Sequence, residues 1–179
     1  RPAVSFSFAS HTSELAKAIW ELESYDWLML TSSRAVRALA AIRAFASPRP
    51  EGLRVAVVGP GTAAELGTHG WEADVVPESG GAAVMATDVV PLLREGARVL
   101  FPASAAAGGD LVDALTSAGA EVNRVDAYAP APSPQPVAEW NADVAEGRID
   151  ALTFTSPSAV SALASALEDL LDPEVLDRL

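Results

Sequence analysis

The chain contains no cysteine, so disulfide frameworks, thiolate metal sites and cysteine nucleophiles are excluded. Its two histidines, His11 and His69, are too few for a histidine-rich metal site. Positive charge is scarce: 12 Lys and Arg against 24 Asp and Glu give a formal charge of −12. That balance argues against a general nucleic-acid binder. No apolar run approaches the roughly 18 residues that a membrane span needs. Nothing at the opening of the chain reads as a secretory signal. What is present is 179 residues, half of them apolar and 20% charged. This is enough for a packed core, and the length suits one large domain or two small ones. The expectation is an acidic, cytoplasmic protein.

Apolar runs alternate with helical patterns. Residues 27–30, 55–58, 99–101 and 151–154 are continuous or nearly continuous apolar runs, as strands buried on both faces would be. Shorter extended candidates are 5–9, 73–76 and 122–128. Helical spacing joins Leu15, Ile19 and Leu22, then Val36, Leu39 and Ala40, then Leu111, Val112 and Leu115. Gly119 is the expected stop of that third helix. Val137, Trp140 and Val144 predict another helix, and Val160, Leu163 and Leu167 a last one. Residues 82–94 look helical, with Pro91 expected to kink or end the pattern. Such alternation predicts βα units and a parallel sheet. Residues 47–52 read as a loop. Residues 130–136 hold four prolines in seven positions and fit a stiff crossing between domains.

The chain repeats itself. Residues 26–40 and 150–164 align at an offset of 124 with nine of fifteen identities, sharing Asp-x-Leu-x-x-Thr-Ser-x-x-Ala-Val. Each copy reads as strand, turn and helix, which points to two similar α/β domains rather than a solenoid. The counterpart of residues 57–64 would fall just beyond Leu179, and the chain starts at Arg1 rather than Met. Both facts are expected of a piece of a longer protein.

The chemistry lies in the turns that follow the strands. Thr31-Ser32-Ser33 and Thr155-Ser156-Pro157-Ser158 stand where a parallel strand hands over to a helix. Free N–H groups and the positive end of the helix dipole meet there. Such a turn is either an anion-binding mouth or an ordinary hydroxyl cap, and both readings stand. Gly59-Pro60-Gly61-Thr62 is a third turn, open to a ligand or simply tight, with Thr62 as its cap. It lacks the lysine of a P-loop and the spacing of a dinucleotide fingerprint. Pro102-Ala103-Ser104 is a fourth turn and carries no basic residue. Tyr128 precedes the proline-rich crossing and suits a domain edge or a cleft. A free phenol, with a pKa of about 10, is a reluctant general acid. Arg34 and Arg37 suit either an anion or a solvated helix face. His11 and His69 suit surface or capping roles, and Trp20, Trp27, Trp71 and Trp140 suit core or edge positions.

Taken in order, these motifs resemble the uroporphyrinogen-III synthase family from about Ala3 onward. The residues that carry the likeness are 25–28 leading into 31–36, then 58–63, 99–102, 111–115 with Gly119, 125–128 and 150–160. The resemblance implies an α/β fold of two flavodoxin-like parallel-sheet lobes joined by a two-stranded ladder. The continuous lobe would span 10–121. Residues 1–9 and 122–136 would form the ladder and crossing, and 137–179 part of the second, discontinuous lobe. Compared with the family pattern, the first strand and helix are reduced to Arg1-Pro2 and the last units are missing after Leu179. The second lobe is therefore expected to be incomplete in this chain.

The resemblance also implies a reaction: the linear tetrapyrrole hydroxymethylbilane is cyclised with loss of water and inversion of its last ring, giving uroporphyrinogen III for porphyrin and heme biosynthesis. It implies a lyase with no cofactor and no metal, acting as a cytoplasmic monomer on a small molecule, with no nucleic acid or membrane partner. By motif, Tyr128 and Thr62 are the catalytic candidates, with Tyr128 protonating the leaving hydroxyl. Thr31, Ser32, Ser33, Arg34, Gly61, Ala63, Ser104, Thr155, Ser156 and Ser158 are the substrate-binding candidates. An acidic protein cannot hold eight carboxylates by overall charge, so local donors at helix N-termini must do so, at about 0.3–1 kcal/mol each when exposed. A synthase-like module that binds a tetrapyrrole or other polyanion without turnover is the first alternative. A phosphate-binding domain of similar fold is the second.

Overall fold

Every continuous apolar run that falls in the described part of the chain becomes a strand of one sheet. The structure, a computed structural model, describes residues 4–8, 13–132, 143, 146–148, 153 and 160. The strands are β1 (Val4–Phe8), β2 (Trp27–Leu30), β3 (Arg54–Val57), β4 (Arg98–Ser104) and β5 (Glu121–Pro132). The helices are α1 (Glu14–Trp20), α2 (Ser33–Ala41), α3 (Pro60–Gly67), α4 (Ala82–Val89) and α5 (Asp110–Ser117). The turn at 155–158, His11 and Trp140 lie outside the described residues, as do the expected strand at 151–154 and the helices around 137–144 and 160–167 except for the single positions 153, 143 and 160.

The sheet runs in the order β1-β5-β4-β2-β3. β2 pairs in parallel with β3, from Trp27 opposite Arg54 to Leu30 opposite Val57, and in parallel with β4 on its other side. β4 pairs in parallel with β5. Without β1 the order is that of a flavodoxin-like doubly wound sheet.

All four residues of β2 are buried. Side chains alternate across a strand, so Leu28 and Leu30 enter a core formed with α1, α2 and α3, beside Val55, Val57, Leu100 and Val125. Trp27 and Met29 enter a second core formed with α4 and α5, beside Ala56, Val99 and Phe101. Helices cover both faces, which is why the runs are continuous rather than alternating. Full burial of each large aliphatic side chain contributes roughly 1.5–3 kcal/mol before entropy is counted.

Local chemistry sets the helix limits. Ser13 caps α1 by accepting the Ala16 N–H at 3.3 Å. α4 ends at Val89 and passes into a 3₁₀ turn over Val90–Leu92, the break expected of Pro91. After α5 the chain takes φ +87 at Gly119, the left-handed stop expected there.

Two expectations need correction. Residues 73–76 make only an isolated bridge, Val75 with Ala56. The Asp74 carboxylate takes the Val55 N–H at 2.7 Å, and Pro77 has no donor with which to extend a ladder. Conversely, β5 continues into the proline-rich stretch as far as Pro132. The Tyr128 carbonyl accepts from Ala105 N–H at 2.9 Å, so positions 128, 130 and 132 face the β4 side. β4 ends at Ser104, so among the described residues no β4 donor or acceptor stands opposite Pro130 and Pro132.

Packing divides the chain into two compact units. Phe8–Ala129 is continuous and holds nearly all of the sheet and its helices. The other combines Arg1–Ser7 with Pro130–Leu179. Among its described residues, Arg148 turns back to Asp143 at 2.6 Å, with Gly147 in the left-handed region at φ +66.

Candidate active site

The chain leaves β2 for β3 on one side and then crosses back to β4 on the other. The order therefore reverses between β2 and β4, and the crevice beyond their C-terminal ends is where this architecture takes ligands. Four turns or strand ends meet around it.

At the end of β2, Ser32 is the N-cap of α2. Its backbone is extended, and its Oγ accepts the Ala35 N–H at 3.1 Å. Ser33 opens the helix and donates its hydroxyl to the Gly61 carbonyl at 3.2 Å, tying this turn to the next. Thr31, partly buried, precedes them. Arg34, exposed, stands in the first turn of α2, where the dipole disfavours a cation unless an anion is shared. Arg37 is held by Glu65 of α3 through two hydrogen bonds, at 3.1 and 2.9 Å. The Glu65 hydrogen bond and charge push the Arg37 guanidinium further up. The Arg37 hydrogen bond, stronger than the partial desolvation, holds Glu65 below the usual carboxylate range. Arg37 is thus a tie between helices.

At the end of β3, Gly59 is the N-cap of α3 and Pro60 its first residue. Thr62 is therefore not the cap. It is the third residue of α3 and is 5% exposed, the one buried polar side chain among the described residues. Ala63 packs against the α1–α3 core.

β4 runs three residues beyond the expected 99–101, to Ser104, whose Oγ accepts the Ala106 N–H at 3.3 Å. Residues 102–104 include no basic residue, but β5 supplies one. Arg124 donates to the Ser104 carbonyl at 2.9 Å and to Asp126 at 3.0 Å. Sequence inspection missed Arg124 because the register that brings it to Ser104 is not a local property.

Tyr128 reaches the crevice through a bulge. Ala103 pairs with Asp126, but Ser104 pairs with Tyr128, so β5 carries one extra residue there. Before the bulge, Val125 points into the α1–α3 core and Val122 packs on the α4–α5 core. Strict alternation would send Tyr128 to the α4–α5 side, with Arg124 and Asp126. The bulge turns it onto the α1–α3 side, where it packs beside Ala127. Its phenol then extends past β4 to Ser32, with Oη and Oγ 3.0 Å apart.

Ser32 and Tyr128 are thus in contact, Ser33 and Gly61 are bonded, and Ser104 lies beside Tyr128 in the ladder. Thr155, Ser156 and Ser158 lie outside the described residues. His69 stacks on Phe45 at 4.9 Å, beside an open groove of about 500 Å³ that shares no residue with these turns. Trp27 and Trp71 are buried as expected. Trp20 is not: it is 89% exposed at the end of α1, because its position faces away from Leu15 and Ala18.

The fold and site define a doubly wound, flavodoxin-like α/β protein whose strand ends present hydroxyls and backbone amides rather than a metal-ligating cluster, among the described residues. The chain belongs to the uroporphyrinogen-III synthase family: it matches the family model described as uroporphyrinogen-III synthase HemD over residues 1–177. It is 34% identical over 157 residues to a candidate uroporphyrinogen-III synthase of Methanothermobacter thermautotrophicus, covering 86% of this chain and 62% of that protein. It is 37% identical over 122 residues to the uroporphyrinogen-III synthase of Synechococcus elongatus, covering 64% of this chain and 44% of that protein. The chain thus spans less than two thirds of the length of these relatives. A crystal structure of a mutant uroporphyrinogen III synthase from the extreme thermophile Thermus thermophilus superposes with a TM-score of 0.64 at 20% identity, over 99% of this chain and 70% of that one. The fold is shared with it.

Proposed function

We propose that this protein is the uroporphyrinogen-III synthase its family membership suggests, closing hydroxymethylbilane to uroporphyrinogen III with loss of water and inversion of the last ring. The observation that carries the reading is the phenol of Tyr128 at the switch-point crevice, in contact with the hydroxyl that caps α2. Tyr128 protonates the departing hydroxyl, and the electron-rich pyrroles drive it out. General-acid help of this kind is worth about 10²–10⁴-fold. Ser33, Gly61, Ala63, Thr31, Arg34 and Ser104 line the mouth that receives acetate and propionate groups. In the same reading, Thr155, Ser156 and Ser158 present the matching turn of the other lobe. Thr62 is nearly inaccessible, so its part is to shape the β3–α3 turn around the Ser33–Gly61 bond. Holding the flexible chain in one conformation is the entropic share of catalysis.

The lobe assignment goes with this reading: 10–121 continuous, 1–9 and 122–136 as ladder and crossing, 137–179 discontinuous. The repeat at 26–40 and 150–164 supports it. We also read the protein as a cytoplasmic monomer that needs no cofactor and does not bind nucleic acid. The charge of −12 supports the last point. Among the described residues, no helix is long and apolar enough to cross a membrane.

The test generates hydroxymethylbilane in situ with the full-length protein, oxidises the products and separates the type I and type III isomers. Type III in excess of the spontaneous type I background is the expected result. Type I alone, from a folded protein, overturns the reading.

A further inference from the structure

Ser32 is a substrate-binding candidate through the amides of its turn, and its own hydroxyl is engaged inside the protein. Its Oγ accepts the Ala35 N–H at 3.1 Å, which fixes the side chain over the first turn of α2. The remaining proton of Oγ has the Tyr128 oxygen 3.0 Å away. The backbone around Ser32 is equally fixed, its carbonyl accepting from Ala35 N–H at 3.1 Å. Tyr128 comes from a different strand and is turned to meet Ser32 only by the bulge in β5. Both partners are half-buried.

We propose that Ser32 is the positioning residue of Tyr128. By donating to the phenol oxygen it aims the Tyr128 proton into the crevice and supports the charge that the oxygen carries once the proton has gone. In the step concerned, the C–O bond of the hydroxymethyl group breaks with its electron pair on oxygen. That oxygen leaves as water, carrying the phenolic proton, while a pyrrole nitrogen lone pair stabilises the new cation. The proton released when the closed ring regains aromaticity returns to the phenolate. The N-terminus of α2, whose amides lie around Ser32, favours the same negative charge. This role rests on the synthase reading given above.

The test uses Ser32→Gly and Ser32→Thr in the full-length protein. Glycine is a tolerated N-cap, so Ser32→Gly removes the hydroxyl at little cost to α2, and Ser32→Thr keeps it. Ser32→Gly should lower kcat by about 10- to 100-fold, the effect of losing one hydrogen bond to a developing charge, with KM nearly unchanged. Ser32→Thr should restore most of kcat. In a Tyr128→Phe background, Ser32→Gly should lower kcat no further, since it acts only through the phenol. Losses that multiply, or a raised KM at constant kcat, overturn the role and make Ser32 a direct substrate contact.

A second readout needs no turnover. With ring-labelled tyrosine, the Tyr128 signal, identified by its loss in Tyr128→Phe, should move in Ser32→Gly while that of Tyr25 stays. An unmoved Tyr128 signal overturns the contact whatever the activity. If the unsubstituted protein makes no type III product, the synthase reading fails and this catalytic role with it, while the tyrosine spectrum still tests the contact separately.

Discussion

The strands of this sheet begin among charges and end among hydroxyls. At the N-terminal end, Asp26 ties three strands. Its carboxylate accepts the Arg98 N–H at 2.8 Å and the Arg94 guanidinium at 2.8 Å, while its own carbonyl accepts Arg54 N–H at 2.8 Å. Arg54 lies over the Trp27 ring at 4.3 Å, and Arg98 over the Tyr25 ring at 5.0 Å. Tyr25 accepts from Asn123 of β5 at 2.6 Å. At the C-terminal end the contacts that join Ser32 to Tyr128 and Ser33 to Gly61 are made between neutral groups. The difference separates two tasks. Formal charges hold strand beginnings in register, at the end away from the crevice. At the crevice end the hydroxyl contacts of Ser32 and Ser33 lie between β2, β3 and β5, and the one charged pair beside them, Arg124 with Asp126, is made within β5 itself.

Tyr128→Phe should have the largest effect and confine it to one end. We expect a loss of about 10²–10⁴-fold in type III formation. The melting curve should shift by no more than one half-buried hydrogen bond, about 1 kcal/mol. A parallel collapse in stability would break the division of tasks. Asp26→Ala tests the opposite end. It strands the Arg98 amide and unpairs Arg94, and should cost about 1–3 kcal/mol in urea unfolding. The isomer ratio made by the remaining folded protein should not change.

Acid sharpens the same point. Burial pushes the Asp26 carboxyl up, but the Arg98 amide and the Arg94 guanidinium, with the charge of Arg98, together hold it below the usual aspartate range. A depressed folded pKa means that the stabilisation is fully present above the unfolded value, about 3.9, and fades as pH falls through the folded one. The urea midpoint of Asp26→Asn relative to the parent should thus be constant from about pH 8 to pH 5, and the gap should close below about pH 4. A gap that persists in strong acid would assign the stability to something other than this charge.

Smaller effects lie at the hydroxyl end. Ser33→Ala removes the Gly61 bond and should cost about 0.5–1.5 kcal/mol, with a rise in KM rather than a fall in kcat. Trp20→Ala should be smaller still, within about 0.5 kcal/mol by thermal melting, because the ring is exposed. A larger loss would mean that the indole is covered in solution.

Much of the hydroxyl end is legible in the sequence because its residues are local. A hydroxyl directly after a buried run predicts a strand-to-helix turn, and Ser32 caps α2 as such a residue should. Asp26 opens the repeated segment, yet no local rule shows that its carboxylate meets Arg94 and Arg98, some seventy residues away. Thr62 reads as a cap but is not one, because Gly59, with no side chain to signal it, takes that place. Trp20 misleads because an aromatic ring suggests burial, although the spacing of Leu15, Ile19 and Leu22 already sets position 20 off their apolar face. The proline-rich stretch reads as the end of β5 but does not end it. Proline weakens a ladder only where a partner strand needs its donor, and that depends on the neighbour.

The sequence by itself determined the apolar runs that become β2, β3 and β4, the helical spacing of α1, α2 and α5, the parallel pairing of those central strands, and that hydroxyls cluster at strand ends. Those properties follow from burial and capping, which act over a few residues. The tertiary structure alone decided the order of the strands, the crevice between β2 and β4, and the meeting of Tyr128 with Ser32. That meeting depends on one extra residue in β5 opposite Ala103 and Ser104, a shift in register that moves a side chain from one face of the sheet to the other. Register is a relation between two strands, so neither strand's sequence contains it.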